Sequence, residues 1–366
     1  MNTALIHDWL TNVSGGERVV LEIAKIFPKA PLYTSVYDPK HTVPFDKIDV
    51  MPSFLQKFSI FRSKREFLIP YCPFAFEQEN LSKYDLVISS TSFASKGVIT
   101  KPAAVHICYC HTPARYLWEP EVDPRANKGW LSGLRRNTAH NLRIWDRVAA
   151  DRVDYFIANS KFVAKRIKKY YKRDSIVVYP PVDVAKYKPV EKKDVKDYYL
   201  FVSRLVGYKK CDLVIEAFND LGLPLKIIGT GPDEKYLKSK AKGNVEFLGR
   251  LDDSEVKKYY AEAYAFIFAA EEDFGIVPVE AMASGRPVIA YKGGGVMETV
   301  KEGITGTFFD EQTPQCLINA VKRFKAENYN PTQIRQHALK FSSDRFRKEF
   351  KELVEEILAE HKKVKH

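Results

Sequence analysis

Residues 263–306 read AYAFIFAAEEDFGIVPVEAMASGRPVIAYKGGGVMETVKEGITG. The apolar run Ala265 to Ala270 has the length and composition of a buried parallel strand and is too short to cross a membrane. Glu271 and Glu272 close it, and Phe274-Gly275 follow. Pro278 suits the first turn of a helix, which Val279, Glu280, Ala281, Met282 and Ala283 continue to a stop at Gly285. Pro287 to Ala290 predicts a second buried strand, which ends at Gly293-Gly294-Gly295, with Glu298 opening the next helical piece. Strand, loop, helix, strand, glycine loop and helix spell an open α/β sheet, whose ligands lie outside the carboxyl ends of the strands. Glu272 stands at such an end and Glu280 lies early in the helix that follows. Gly275 lets bare amides approach a ligand, and a helix N-terminus favours an anion. Carboxylates accept from sugar hydroxyls, so the pair reads as a grip on a polyol beside a phosphate. The plainer reading makes Glu272 a solvated loop acid and Glu280 an offset to the helix dipole.

Working outward, the same strand–loop–helix unit recurs on both sides. Tyr199 to Val202 ends at Arg204 and Lys209, which flank one loop and suit a diphosphate, the first as a planar fork and the second as a mobile point charge. Leu225 to Ile228 runs into Gly229, and Val245 to Gly249 into Arg250 and Leu251. Near the start, Ala4 to Ile6 leads through His7-Asp8-Trp9 to Gly15-Gly16 and a helix carrying Val19, Val20, Ile23, Ala24 and Ile26. That glycine pair fits neither G-x-G-x-x-G nor G-x-x-x-x-G-K-[ST], so dinucleotide and P-loop readings lack support. Ala104 to Cys110 is another strand, and His111 follows its carboxyl end. Cys108, Cys110 and His111 suggest a metal, yet no second ligand cluster appears and both cysteines share one strand face. Tyr155 to Ala158 ends at Asn159-Ser160, which caps a helix from Lys161 to Tyr171. The charged stretch EKKDVKD (191–197) reads as an interdomain linker.

Composition bounds the partners. The chain has 366 residues, 45% of them hydrophobic, a net charge of +12 and five cysteines. That is length enough for two cores, and the charge calls for an acidic partner such as a phosphorylated substrate, an anionic membrane or nucleic acid. An odd cysteine count within apolar runs points to reduced thiols and a cytoplasmic setting, and MNTALIHDWL lacks the regions of a signal peptide. In MPSFLQKFSIFRSKREFLIP (51–70), Phe54, Leu55, Phe58, Ile60, Phe61, Phe67 and Leu68 alternate with Lys57, Arg62, Lys64 and Arg65. This suits either a surface lying on anionic lipid or a hairpin whose phenylalanines are core. Arg135, Arg136, Arg143 and Arg147 form a basic helical face around Trp145. The last helix carries Phe346, Phe350, Leu353, Val354, Ile357 and Leu358 after a Ser342-Ser343 cap, and the tail HKKVKH frays.

Glu272-Asp273-Phe274-Gly275-Ile276-Val277-Pro278-Val279-Glu280 resembles the E-x7-E signature of retaining glycosyltransferases with the GT-B fold, and among them glycosyltransferase family 4. Pro287 to Ala290 and Gly294-Gly295-Val296-Met297-Glu298 continue it in register, and Arg204 with Lys209 matches the family's R-x4-K element. HTPARYLWEP (111–120) is similar to mannosyltransferases of bacterial and archaeal surface-polysaccharide assembly.

The resemblance implies two Rossmann-like domains whose parallel sheets face across a cleft that closes on the donor. Residues 1–185 would form an acceptor-binding domain and 196–340 a nucleotide-sugar-binding domain. Residues 341–366 would form a helix returning to the first. It implies catalytic roles for His111, Glu272, Arg204 and Lys209, with His7 a second candidate histidine. Gly15, Gly16, Arg204, Lys209, Gly229, Arg250, Leu251, Gly275, Ile276, Val277 and Glu280 would bind the donor, Glu280 through its ribose hydroxyls. The expected donor is GDP-mannose, with a UDP-sugar as the alternative. The acceptor would be a glycan or a polyprenyl-diphosphate-linked glycan. No cofactor and no metal are expected, and the chain shows no D-x-D loop. The setting would be cytoplasmic, peripheral on the inner face of the cell membrane, with no nucleic-acid partner. A glycoside hydrolase would use paired glutamates but leave Arg204 and Lys209 idle, and a nucleic-acid binder would want its basic residues gathered in one element.

Overall fold

The computed structural model describes residues 1–58, 60, 65–119 and 132–364. Phe61, Arg62 and Lys64 of the basic–aromatic stretch, Pro120, and the last two residues of the tail lie outside that set. Contacts divide the chain into two units, Met1–Pro181 with Phe346–His366, and Val182–Arg345.

The first unit is built on a seven-stranded sheet of order β3-β2-β1-β4-β5-β6-β7. Its strands are β1 Thr3–His7, β2 Leu32–Thr34, β3 Val50–Pro52, β4 Leu86–Thr91, β5 Val105–Cys110, β6 Tyr155–Ala158 and β7 Ile176–Val177. All pairings are parallel, which explains the continuous apolar runs, since helices cover such strands on both faces. The chain order reverses between β1 and β4, so the carboxyl ends of those two strands form a switch point. The helix Gly15–Ile26 buries Val19, Val20, Ile23 and Ala24 against this sheet.

The final helix, Ser343–Val364, belongs to the same core. Phe346, Phe350, Val354 and Ile357 pack with Leu5, Ile88, Ile107 and Tyr109. Ser342 caps it, its hydroxyl accepting from the Arg345 amide at 3.3 Å. Burial of four large apolar side chains at about 1.5–3 kcal/mol each is enough to hold the C-terminal segment there.

In the second unit six parallel strands run in the order β10-β9-β8-β11-β12-β13. They are β8 Tyr199–Val202, β9 Leu225–Ile228, β10 Val245–Gly249, β11 Ala265–Phe268, β12 Val288–Tyr291 and β13 Gly306–Phe309. Here the switch point lies between β8 and β11. The helix after β11 spans Ile276–Ala283 and starts two residues before Pro278, with Gly275 at its N-cap in the left-handed region (φ +87°).

The charged stretch 191–197 differs from its linker reading. It lies within the second unit, where the Lys196 amide donates to the Glu262 carbonyl at 2.7 Å and its ammonium pairs with Glu262 at 2.6 Å. Composition records solvation, and a well-solvated turn such as Lys192–Asp194 looks the same as a linker. The division instead follows Pro180-Pro181, where a pair of rigid residues ends the β7 segment.

The basic–aromatic stretch also sorts itself. Leu55 and Leu68 are buried, whereas Phe54, Phe58, Ile60, Phe67, Tyr71 and Phe74 are exposed. Phe54 and Phe74 meet edge to face at 5.7 Å. Part of the basic helix face is spent internally: Arg143 donates to the Leu117 carbonyl at 3.1 Å and Arg147 pairs with Asp151 at 2.7 Å. No described helix is long and apolar enough to cross a membrane.

Candidate functional site

The β8 and β11 loops meet at the second switch point. Lys209, in the short turn Gly207–Lys209 after β8, donates its ammonium to the Glu272 carboxylate just after β11. Their side chains are only 16% and 20% exposed, so the pair is shielded yet reachable. Burial opposes the charge on Lys209, but Glu272, with Tyr208 and Asp273 behind it, outweighs burial and raises its pKa. The ammonium is therefore fixed in its charged form. Arg204 precedes it on the same loop and is exposed, and among the described residues no carboxylate pairs with its guanidinium.

Glycines shape the surroundings, and not all for the same reason. The loop carrying Glu272 is backed by the glycine loop after β12, where the Gly295 amide donates to the Glu272 carbonyl at 2.8 Å. Gly229 ends β9 at φ +133°, and a Cβ there would fall 1.9 Å from the Ser203 carbonyl oxygen, so the fold itself demands glycine. Its amide donates to the Gly249 carbonyl at 2.8 Å, which draws the end of β10 close, with exposed Arg250 and half-buried Leu251 just beyond. Half-buried Ile276 and Val277 open the helix after buried Gly275. Glu280 sits deeper: it is 8% exposed and accepts from the Tyr260 hydroxyl at 3.2 Å.

At the first switch point the geometry brings two histidines together. His7 ends β1 and His111 follows β5, with ring centroids 6.4 Å apart. Ser90 on β4 serves both: its carbonyl accepts from His7 Nδ1 at 2.9 Å and its hydroxyl bonds His111 Nε2 at 2.8 Å. Burial lowers the His111 pKa to about 4, with the neighbouring His7 adding to the effect, so His111 is neutral near pH 7. Its backbone is fixed too, since Asn159 donates to the His111 carbonyl at 2.9 Å. Arg166, nearly buried, bonds the Thr112 hydroxyl and pairs with Glu119 at 2.8 Å, which accounts for several polar residues of the HTPARYLWE segment.

Gly16 lies beside this cluster. A methyl group added there would rest 3.5–3.8 Å from the His111 ring, an ordinary contact. Gly15 and Gly16 open the helix Gly15–Ile26 behind Ser14, whose hydroxyl and amide both donate to the Glu17 carboxylate.

Two family models tile the chain: "Glycosyltransferase Family 4" matches residues 13–186 and "Glycosyl transferases group 1" matches 183–341. The chain belongs to glycosyltransferase family 4.

Among relatives of this family 4 chain, an uncharacterized glycosyltransferase of Methanocaldococcus jannaschii is 28% identical over 48% of the chain and 50% of that protein. The chain thus spans about half the length of that relative. The alpha-1,3/1,6-mannosyltransferase ALG2 of Rhizomucor pusillus is 23% identical over 94% of the chain and 88% of its own length. Two solved structures share the fold. Anabaena HepE in complex with UDP and glucose gives a TM-score of 0.68 at 19% identity, covering 97% of this chain and 99% of that one. Sucrose-phosphate synthase from Thermosynechococcus elongatus gives 0.77 at 17%, covering 98% and 100%.

Sequence reasoning gives no role to two acids of this family 4 chain that the fold places at the first switch point. Asp8 is buried and takes amides from the loop after β4: Ser92 at 2.6 Å, Phe93 at 3.0 Å, Ala94 at 2.9 Å and Ser95 at 2.8 Å. Glu17 faces His7 at 3.7 Å. The Ser14–Glu17 spacing is a capping-box signal and was available; that the same carboxylate also meets His7 follows only from how β1 and the helix pack.

Proposed function

We propose that the protein is a retaining hexosyltransferase that holds a nucleotide sugar at the carboxyl edge of its second sheet. The observation that carries this reading is the Lys209–Glu272 contact at the switch point, where separate loops deliver a fixed cation and a carboxylate of the kind that accepts from sugar hydroxyls. As the glycosidic C–O bond breaks, its electron pair goes to the diphosphate oxygen, and Lys209 and Arg204 stabilise the charge that builds there. Preorganised cations do this without reorganising at the moment of reaction. Gly275, Ile276 and Val277 supply amides beside the sugar and phosphate, and Glu280 accepts from the ribose once released from Tyr260. His111, neutral and held through Ser90, orients sugar or acceptor. Gly229, Arg250 and Leu251 border the base. No metal enters the proposal.

GDP-mannose is the first donor, a choice supported by the mannosyltransferase relative; a UDP-sugar is the second, supported by the UDP and glucose bound to HepE. Thermal shift against GDP, UDP and ADP in EDTA is the test. One diphosphate should stabilise the chain, by about 2.7 kcal/mol at a hundred times its Kd. Absence of any shift, or a strict requirement for Mg²⁺ or Mn²⁺, would overturn the reading.

The acceptor is proposed to be a polyprenyl-diphosphate-linked glycan, met on the inner face of an anionic membrane. The exposed Phe54, Phe58, Phe67 and Phe74, with Lys57 among them, support this placement. Vesicles containing phosphatidylglycerol should sediment the protein, neutral phosphatidylcholine vesicles should not, and Phe58→Ser with Phe74→Ser should weaken sedimentation about tenfold. Equal behaviour on both vesicles would remove the membrane from the proposal.

A further inference from the structure

The amino ends of the second sheet hold a buried charge that has no partner. Arg286 lies in the turn between the helix Ile276–Ala283 and β12 and is only 5% exposed. Among the described residues its guanidinium has neither a hydrogen-bond acceptor nor a carboxylate, and its Nε is shut away from water. Burial lowers its pKa, and the ionisable group acting on it is the Tyr198 phenol, just before β8. A guanidinium nevertheless stays protonated at neutral pH. Holding that charge out of water without a counter-charge is costly, and arginines are rarely buried unless paired.

The turn that presents Arg286 is firmly held. The Gly285 and Arg286 amides donate to the Met282 and Ala281 carbonyls at 2.9 and 3.0 Å. Gly285, at φ +72°, fits between Pro189 and Pro331, and a Cβ there would stand 3.1 Å from each. Arg335, on the helix Pro331–Leu339, donates to the Ala283 and Tyr187 carbonyls, so the nearby arginine has the acceptors that Arg286 lacks. Two more cations gather around Tyr198. Lys226 Nζ lies 5.3 Å from its ring centre and 5.6 Å from that of Tyr259, and Lys196 is two residues away in the chain. Lys226 pairs with Glu246, and Lys196 with Glu262 at 2.6 Å. The Tyr198 hydroxyl donates to the Tyr259 carbonyl at 2.8 Å. Of the three cations, Arg286 alone is left uncompensated.

We propose that Arg286 anchors an anion site at the amino edge of the second sheet, whose ligand is a phosphate group, free or as a monoester. The guanidinium offers a planar fork that matches phosphate oxygens. Lys196 and Lys226 nearby favour a dianionic phosphate over a singly charged carboxylate. Lys196 is exposed and Tyr259 half-buried, so the rim of the site meets solvent. Tyr198 and Arg204 lie beyond opposite ends of β8, which sets this phosphate apart from the diphosphate of the donor. The site therefore does not depend on the transferase reading.

The test is thermal unfolding of the full chain in EDTA at fixed ionic strength, with chloride exchanged for acetate, inorganic phosphate or glycerol 3-phosphate. Phosphate should raise the Tm by about 3 °C at ten times its Kd, and acetate should not. A shift from inorganic phosphate alone assigns the free ion, and one from glycerol 3-phosphate assigns a monoester. Arg286→Met removes an unpaired buried charge, so it should be at least as stable as the unaltered chain in chloride. It should also lose the phosphate shift, so that the ranking of the two proteins reverses in phosphate. Arg286→Lys keeps the charge but not the fork, and should bind phosphate about tenfold more weakly. Arg204→Ala should keep the whole phosphate shift, which rules out the donor loop as its source. No shift with either phosphate, an equal shift in Arg286→Met, or an equal effect of acetate would overturn the site. Loss of every nucleotide-induced shift would instead sink the transferase reading and leave the phosphate response standing.

Discussion

Lys209→Ala should fold and lose kcat by about 10²–10³-fold, the scale of roughly 2.7–4 kcal/mol expected when one fixed stabiliser of a developing charge is removed. The ammonium is held charged at the β8–β11 switch point by Glu272. Removal has a second consequence, since Glu272 then keeps an uncompensated negative charge where the diphosphate is proposed to sit. Nucleotide affinity should therefore fall in Lys209→Ala and recover in part in the double variant with Glu272→Gln, while kcat stays low in both. Single-turnover rates and calorimetric Kd values separate the two effects. A kcat within tenfold of the unaltered enzyme would remove Lys209 from the chemistry. Binding that fails to recover in the double variant would mean the repulsion argument is wrong.

The largest effect on stability is expected far from this loop. Lys96 is fully buried and donates to the Asp146 carboxylate and to the Phe93 carbonyl, the latter at 2.5 Å. Asp146 is equally buried and accepts from Trp118 Nε1 at 2.7 Å and the Tyr171 hydroxyl at 2.9 Å. Two charges and two neutral donors so close a polar network inside the first unit, tying the loop after β4 to three helices. Asp146→Ala strands a buried ammonium and should cost about 3–5 kcal/mol. Replacing both charges while keeping an acceptor, as in Lys96→Met with Asp146→Asn, should recover part of that, because no ammonium is stranded and the Asn oxygen still accepts from Trp118 and Tyr171. Urea midpoints compared at equal m-values measure both. If the single and double variants unfold alike, the pair is not a coupled unit.

How far the sequence could be read depends on where the partners of each residue lie. The strands around residues 263–306 were legible because every element there is local: an apolar run, a turn glycine, a helix start. The Arg204–Lys209 loop was legible for the same reason, and its meeting with Glu272 followed from the rule that switch-point loops converge. The network of Lys96, Asp146, Trp118 and Tyr171 was not, since those residues are distant in the chain and only the order of strands in the sheet joins them. His7 with Glu17 lies between the two cases. Ser14 and Glu17 announce a helix cap, but nothing local says that the carboxylate also faces the end of β1. The phenylalanines of residues 51–70 carried no periodicity that could divide Leu55 and Leu68 from the exposed rings.

The Asp8 carboxylate fixes one further property of the molecule. Four consecutive amides, from Ser92 to Ser95, converge on it. Such a cradle elsewhere would be a phosphate receptor, but here the chain has supplied its own permanent occupant. The loop after β4 is thereby closed to phosphate at this point. An anion receptor that is filled from within is a structural joint between β1 and the loop after β4, and no longer a place for a ligand.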